Sequence, residues 1–119
     1  MNTFFYLNTC STCKRILGEL NLPESVTLQD IKTNPITEAQ LDKLKILAGS
    51  YEALFSKRAQ LYKSEGLKDK NLQEDDFKNY ILKHYTFLKR PVLVISDRIF
   101  VGNSAKTVAA AQSFLDSHE

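Results

Sequence analysis

Phe4-Phe5-Tyr6-Leu7-Asn8-Thr9-Cys10-Ser11-Thr12-Cys13 is the stretch that decides how this chain is read. Its first half is apolar and aromatic, which predicts a buried strand over Thr3 to Leu7. Asn8-Thr9 breaks the run. From Ser11 the apolar spacing becomes helical, with Cys13, Ile16, Leu17 and Leu20 on one face. The chain has two cysteines, and both lie where this strand gives way to this helix.

Working outward, Asn21-Leu22-Pro23 ends the helix, because the residue before a proline is disfavoured in helical conformation. Val26-Thr27-Leu28 alternates with polar neighbours and predicts a second short strand. Thr37 with Gln40 three positions on is a capping-box pattern. It opens a helix with Leu41, Leu44, Leu47 and Ala48 inward and Gly49 as its carboxyl-terminal cap. Tyr51 to Phe55 predicts a further short helix, and the polar stretch Ser56 to Leu72 has no clear period. Phe77, Tyr80, Ile81 and His84 return to helical spacing. Val92 to Ile95, a Ser96-Asp97 turn and Arg98 to Val101 make a hairpin. Gly102-Asn103-Ser104 leads into a last helix with Val108, Ala111 and Leu115 inward. The order β-α-β, helices, β-β-α predicts one α/β domain over the whole chain, with a helical insertion over about residues 36–86 between its halves.

A length of 119 residues suits one domain that buries a core without staples. The net charge of +2, with basic and acidic residues interleaved, gives no argument for direct nucleic-acid binding. No stretch approaches the ~20 apolar residues that cross a bilayer, and Met1 to Leu7 does not resemble a secretory leader. The expected setting is therefore the cytoplasm, where thiols are kept reduced and a close cysteine pair is more often reactive than structural.

At a helix start, unpaired N–H groups and the helix dipole favour a thiolate, the reactive form of cysteine. Cys10 occupies such a start. Cys13 lies one turn further in on the same side, placed to attack a mixed disulfide on Cys10. Lys14 and Arg15 add positive charge nearby. Other readings compete. A CxxC is half of a zinc site, but only His84 and His118 remain as typical partners, at the wrong spacing, so no metal is expected. Cys13 also suits a small buried helix position.

Arg90-Pro91 precedes the Val92–Ile95 strand. An arginine there can bind an oxyanion or carboxylate with two prongs, whereas its plainer reading is a surface cation. Arg58, among Lys57 and Lys63, is the weaker anion-binding candidate. His84 reads as a packed helix-end residue, and His118 as part of a loose terminus.

Together the first strand, Cys10-Ser-Thr-Cys13, Ala53-Leu54-Phe55-Ser56-Lys57-Arg58, Leu88-Lys89-Arg90-Pro91-Val92 and Ile99-Phe100-Val101-Gly102 resemble the ArsC family, the glutaredoxin-type arsenate reductases and their relatives. The resemblance covers essentially the whole chain. It implies a thioredoxin-like fold with a helical insertion, a nucleophilic Cys10, an anion-contacting Arg90, and a structural Pro91 that is typically cis. Two further arginines of the family's arsenate reductases fall here near Ser56, two positions from Arg58, and on Gly102. The CxxC, the Arg58 position and the Val101-Gly102 ending also resemble the Spx-type regulators of the same family, which bind RNA polymerase and use a CxxC as a redox switch.

The leading expectation is an arsenate-reductase-like thiol oxidoreductase. Cys10 attacks a small oxyanion or a disulfide, and Cys13 resolves the intermediate. A thioredoxin or glutathione–glutaredoxin system supplies electrons, with no tightly bound cofactor and a monomeric chain. The alternatives are the polymerase-binding redox regulator and a redox-inert binding domain.

Overall fold

Thr3–Tyr6 forms β1, an inner strand of a four-stranded sheet, in a computed structural model that describes residues 1–117. The chain continues through α1 (Ser11–Leu20), β2 (Thr27–Asp30), α2 (Glu38–Ala48), α3 (Gln60–Ser64), α4 (Glu74–Lys83), β3 (Val92–Ile95), β4 (Arg98–Val101) and α5 (Ala105–Ser117). The sheet order is β2-β1-β3-β4. β1 is parallel to β2 (Thr3 opposite Thr27) and antiparallel to β3 (Phe4 opposite Leu93), and β3 is antiparallel to β4. This is the α/β arrangement expected from the order of elements, and the thioredoxin-like fold that the family resemblance implies.

The chain divides into two compact units. The first comprises Met1–Asn34 and the chain from Arg90 onward. Because strand side chains alternate between faces, Phe4, Leu93 and Phe100 fall in one row across the sheet. They pack with Ile16 and Leu20 of α1 and Ala111 and Leu115 of α5. The opposite row, Thr3, Phe5, Val92 and Val94, is also buried. All four residues of β3 are therefore buried, which accounts for its unbroken Val-Leu-Val-Ile sequence. Helix α1 stops at Asn21, whose left-handed φ of 52° turns the chain. Ser104 opens α5 by accepting the Thr107 N–H at 3.1 Å.

Two boundaries differ from expectation. β1 ends at Tyr6 because the Leu7 carbonyl is taken by the Cys10 N–H at 2.9 Å, closing a turn. β2 covers residues 27–30, later than Val26–Leu28, because the Val26 N–H is spent on Pro23 O and the ladder with β1 begins at Thr27. The strand therefore buries Gln29 and leaves Leu28 about half exposed, at 48%.

The second unit is Pro35–Lys89. The Thr37–Gln40 capping box is fully formed, and Gly49 ends α2 with a φ of 101° and its N–H on Lys45 O. Tyr51 to Phe55 is a single 3-10 turn, Glu52–Leu54, rather than a longer helix. Phe55 then leaves it to form an antiparallel bridge with Leu88. The Glu74 carboxylate holds this turn by accepting the Tyr51 and Glu52 N–H groups at 2.8 and 3.1 Å. Phe55 stacks on Phe87 at 5.3 Å and contacts Phe77 at 4.9 Å, giving the unit an aromatic centre. The unassigned stretch Ser56–Leu72 contains α3 and a 3-10 turn at Leu67–Asp69, anchored by the fully buried Leu67.

Candidate functional site

Cys10 is the amino-terminal cap of α1, in extended conformation (φ −95°, ψ 113°). Its N–H closes the turn onto Leu7 O, and its carbonyl accepts the first helical bond, from Lys14 N–H at 3.1 Å. The end of β1 and the start of α1 thus fix its backbone from both sides. Its side chain is half-buried, while Cys13, one turn on, is 1% exposed. Both are free thiols.

As a thiol, Cys10 makes no capping hydrogen bond; its ionised form is what the surroundings favour. Partial burial works to raise its pKa. Against this stand the Cys13 N–H, the Cys13 thiol, the Thr12 N–H and the charge of Arg90, and the net result lies below the ordinary value. For Cys13, burial dominates, reinforced by its hydrogen bond to Cys10 and by the charge there. Its thiol is pushed up to about 11, although a Leu7 backbone contact and Arg90 pull the other way. At neutral pH the more acidic sulfur is therefore the accessible one, and its inner neighbour holds a proton.

Sheet register brings Arg90 to this pair. β3 runs antiparallel to β1 with Val92 opposite Phe5, so residues 90 and 91 lie level with the end of β1 from which the cysteine loop springs. Arg90 is half-buried, and its charge acts on both sulfurs. The Arg90–Pro91 peptide is cis, and Pro91 O accepts the Gly102 N–H at 2.8 Å.

The remaining candidates have their own local surroundings. Lys14 is exposed, and Arg15 is exposed and paired with Glu19 at 2.8 Å, along its own helix. Arg58 belongs to the second unit, exposed in the turn between Phe55 and α3. His84 ends α4, stacks on Tyr85 at 4.6 Å and accepts the Thr86 N–H on Nδ1 at 3.1 Å, a capping role. His118 lies outside the described residues. Among the described residues no three His, Cys, Asp or Glu side chains gather as metal ligands, and no helix is long and apolar enough to cross a membrane. The rung from Gly102 N–H to Pro91 O continues the β3–β4 ladder one pair beyond the predicted Arg98–Val101 strand.

The model of the ArsC family matches residues 5–111, and the chain belongs to that family. A comparison with curated proteins found no match. Among solved structures, a possible arsenate reductase from Streptococcus mutans is 30% identical, covering 83% of this chain and 87% of that one with a TM-score of 0.62. An arsenate reductase from Vibrio cholerae is 19% identical, with 92% and 96% covered and a TM-score of 0.77. An arsenate reductase (ArsC) related protein from Brucella melitensis is 20% identical, with 92% of each chain covered and a TM-score of 0.68. The last two likenesses are of fold.

Proposed function

We propose that this chain is a thiol oxidoreductase of the arsenate-reductase type, working in a reducing cytoplasm. The observation that carries the proposal is the division of labour in the pair: an accessible Cys10 favoured as thiolate beside a buried, protonated Cys13, with Arg90 acting on both. Family membership and the name of the Streptococcus mutans relative support the same reading.

On a disulfide, the Cys10 thiolate attacks one sulfur, forms a mixed disulfide and expels the other sulfur as thiolate. Cys13 then gives up its proton and attacks the Cys10 sulfur. The second substrate thiolate leaves, and a Cys10–Cys13 disulfide remains. On arsenate, Cys10 displaces an oxygen as water, giving an arsenic–sulfur bond. Attack by Cys13 on the Cys10 sulfur leaves the bonding pair on arsenic, which departs as arsenite. In both cases two electrons from a thioredoxin or glutathione–glutaredoxin couple restore the dithiol. Arg90 steadies the anion or a substrate carboxylate.

The test is NADPH oxidation driven by arsenate or by a small disulfide, with each donor couple in turn. Cys10→Ser should abolish turnover, and Cys13→Ser should accumulate a mixed disulfide on Cys10, visible by intact-mass spectrometry. No turnover with either couple would remove the enzymatic reading. A pull-down of the RNA polymerase α-subunit would then decide for the redox regulator.

A further inference from the structure

β2 is an outer strand of the sheet, and its free side is open: Glu24, Ser25, Thr27, Leu28, Lys32 and Thr33 are all exposed. Backbone groups along a strand face its two sides by turns, residue by residue. The Thr27 and Ile31 N–H groups go to Asn2 O and Tyr6 O on the β1 side, so Val26, Leu28 and Asp30 direct theirs away from the sheet. Some of these outward groups are already spent within the chain. The Val26 N–H lies on Pro23 O at 3.0 Å, and Asp30 O accepts the Asn34 N–H at 2.8 Å and the Thr33 hydroxyl at 3.4 Å. The Leu28 N–H and carbonyl, the Asp30 N–H and the Val26 carbonyl have no partner among the described residues.

This pattern is its own complement. Two copies of β2 laid antiparallel, with Leu28 opposite Leu28, exchange both bonds at that pair, and the Asp30 N–H of each copy meets the Val26 carbonyl of the other. The groups left facing each other, the Val26 N–H and Asp30 O, are the ones already satisfied within their own chains. An unrelated extended strand would set a fresh N–H against the occupied Asp30 O and leave that donor unsatisfied. The side chains agree. Leu28, 48% exposed, would cover its counterpart, and Asp30 stands opposite Val26, so the two carboxylates are kept apart. Beyond the strand, the antiparallel direction brings the exposed Glu24 of one copy to the end where the other carries the exposed Lys32. We propose that the β2 edge pairs antiparallel with the β2 edge of a second copy of this chain, joining two sheets into one. A strand of four residues buries little surface, so the pair is weak and forms as concentration rises. It takes the place of the monomer expected from sequence, and it does not depend on the chemistry of the thiol site.

The experiment is sedimentation equilibrium of the full chain at low salt, from about 10 µM to about 1 mM. Dithiothreitol is present throughout, so that no Cys10 disulfide links copies. The weight-average mass is expected to rise from one chain toward two. Leu28→Pro removes the outward N–H and leaves the ladder with β1 untouched. It should weaken association by roughly ten-fold or more, since each dimer loses two donors. Leu28→Lys sets like charges opposite each other and stands in if circular dichroism shows the proline variant unfolded. Glu24→Lys and Lys32→Glu should each weaken association by roughly two- to five-fold, and the double variant should restore it. A mass that stays at one chain throughout overturns the inference and leaves the edge to a strand of another protein. Association that the Leu28 variants leave unchanged places the contact elsewhere and overturns it too. So does a double charge variant that associates no better than the single ones.

Discussion

Two sulfurs one helical turn apart are driven in opposite directions by their surroundings, and the difference is measurable in the folding equilibrium. In the unfolded chain Cys13 ionises near the ordinary value of 9.0; in the folded chain burial holds its proton until about pH 11. Its contribution to stability is thus complete below about pH 9 and is lost as pH rises toward 11, where the unfolded state binds fewer protons than the folded one. Cys10 has the opposite sign: its lowered value makes a contribution that is present at alkaline pH and lost as pH falls through the folded value. For the reduced protein, urea titrations at pH 8.5 and pH 11 should show an alkaline loss that Cys13→Ala diminishes by on the order of 2 kcal/mol. Equal losses in both proteins would mean that the Cys13 thiol is not shielded. The i, i+3 placement of the two cysteines was legible in the sequence. Which of them would be buried rested on the helical face shared with Ile16 and Leu20. The limited part played by Arg15 was not legible, because its ion pair with Glu19 depends on side-chain geometry along the helix.

At the scale of elements, local chemistry was readable where a motif is self-contained and unreadable where a partner sets the boundary. Thr37 and Gln40 satisfy each other's backbone groups within four residues, so the start of α2 could be placed from sequence. Thr37→Ala is expected to cost about 1 kcal/mol by chemical denaturation. A change below 0.3 kcal/mol would show that water replaces the cap without loss. β2 is the contrary case. Its bounds follow from pairing with β1, and its buried residue is Gln29, whose side-chain amide donates to Asn34 O at 3.1 Å. An apolar pattern gives no hint of that. Ser56–Leu72 defeated periodicity for a related reason, since one buried leucine and a five-residue helix are too short to show a repeat.

For the whole molecule, the order of strands and helices carried the fold, because β-α-β followed by β-β-α leaves few ways to close one sheet. The chain divides into its two units at Pro35 and Lys89. The first unit is drawn from both ends of the sequence, and Phe4 lies where they meet, fully buried, opposite Leu93 of β3 and packed with Ile16 and Leu20 of α1. Phe4→Ala should cost about 3–5 kcal/mol, a large share of the roughly 5–15 kcal/mol that stabilises a domain. Phe4→Leu, which keeps most of the volume, should cost much less in the same urea titration. A mild effect of Phe4→Ala would contradict its place at the centre of that core.

The pairing of β1 with β3 also sets a timetable. Arg90 is added 80 residues after Cys10 (90 − 10), roughly 4–16 s at ordinary rates of synthesis. Until β3 docks, the nascent thiol has at most a newly formed helix start to acidify it. The share of its acidity that the Arg90 charge supplies, the smallest of those acting on Cys10, arrives only once β3 has been made and paired with β1.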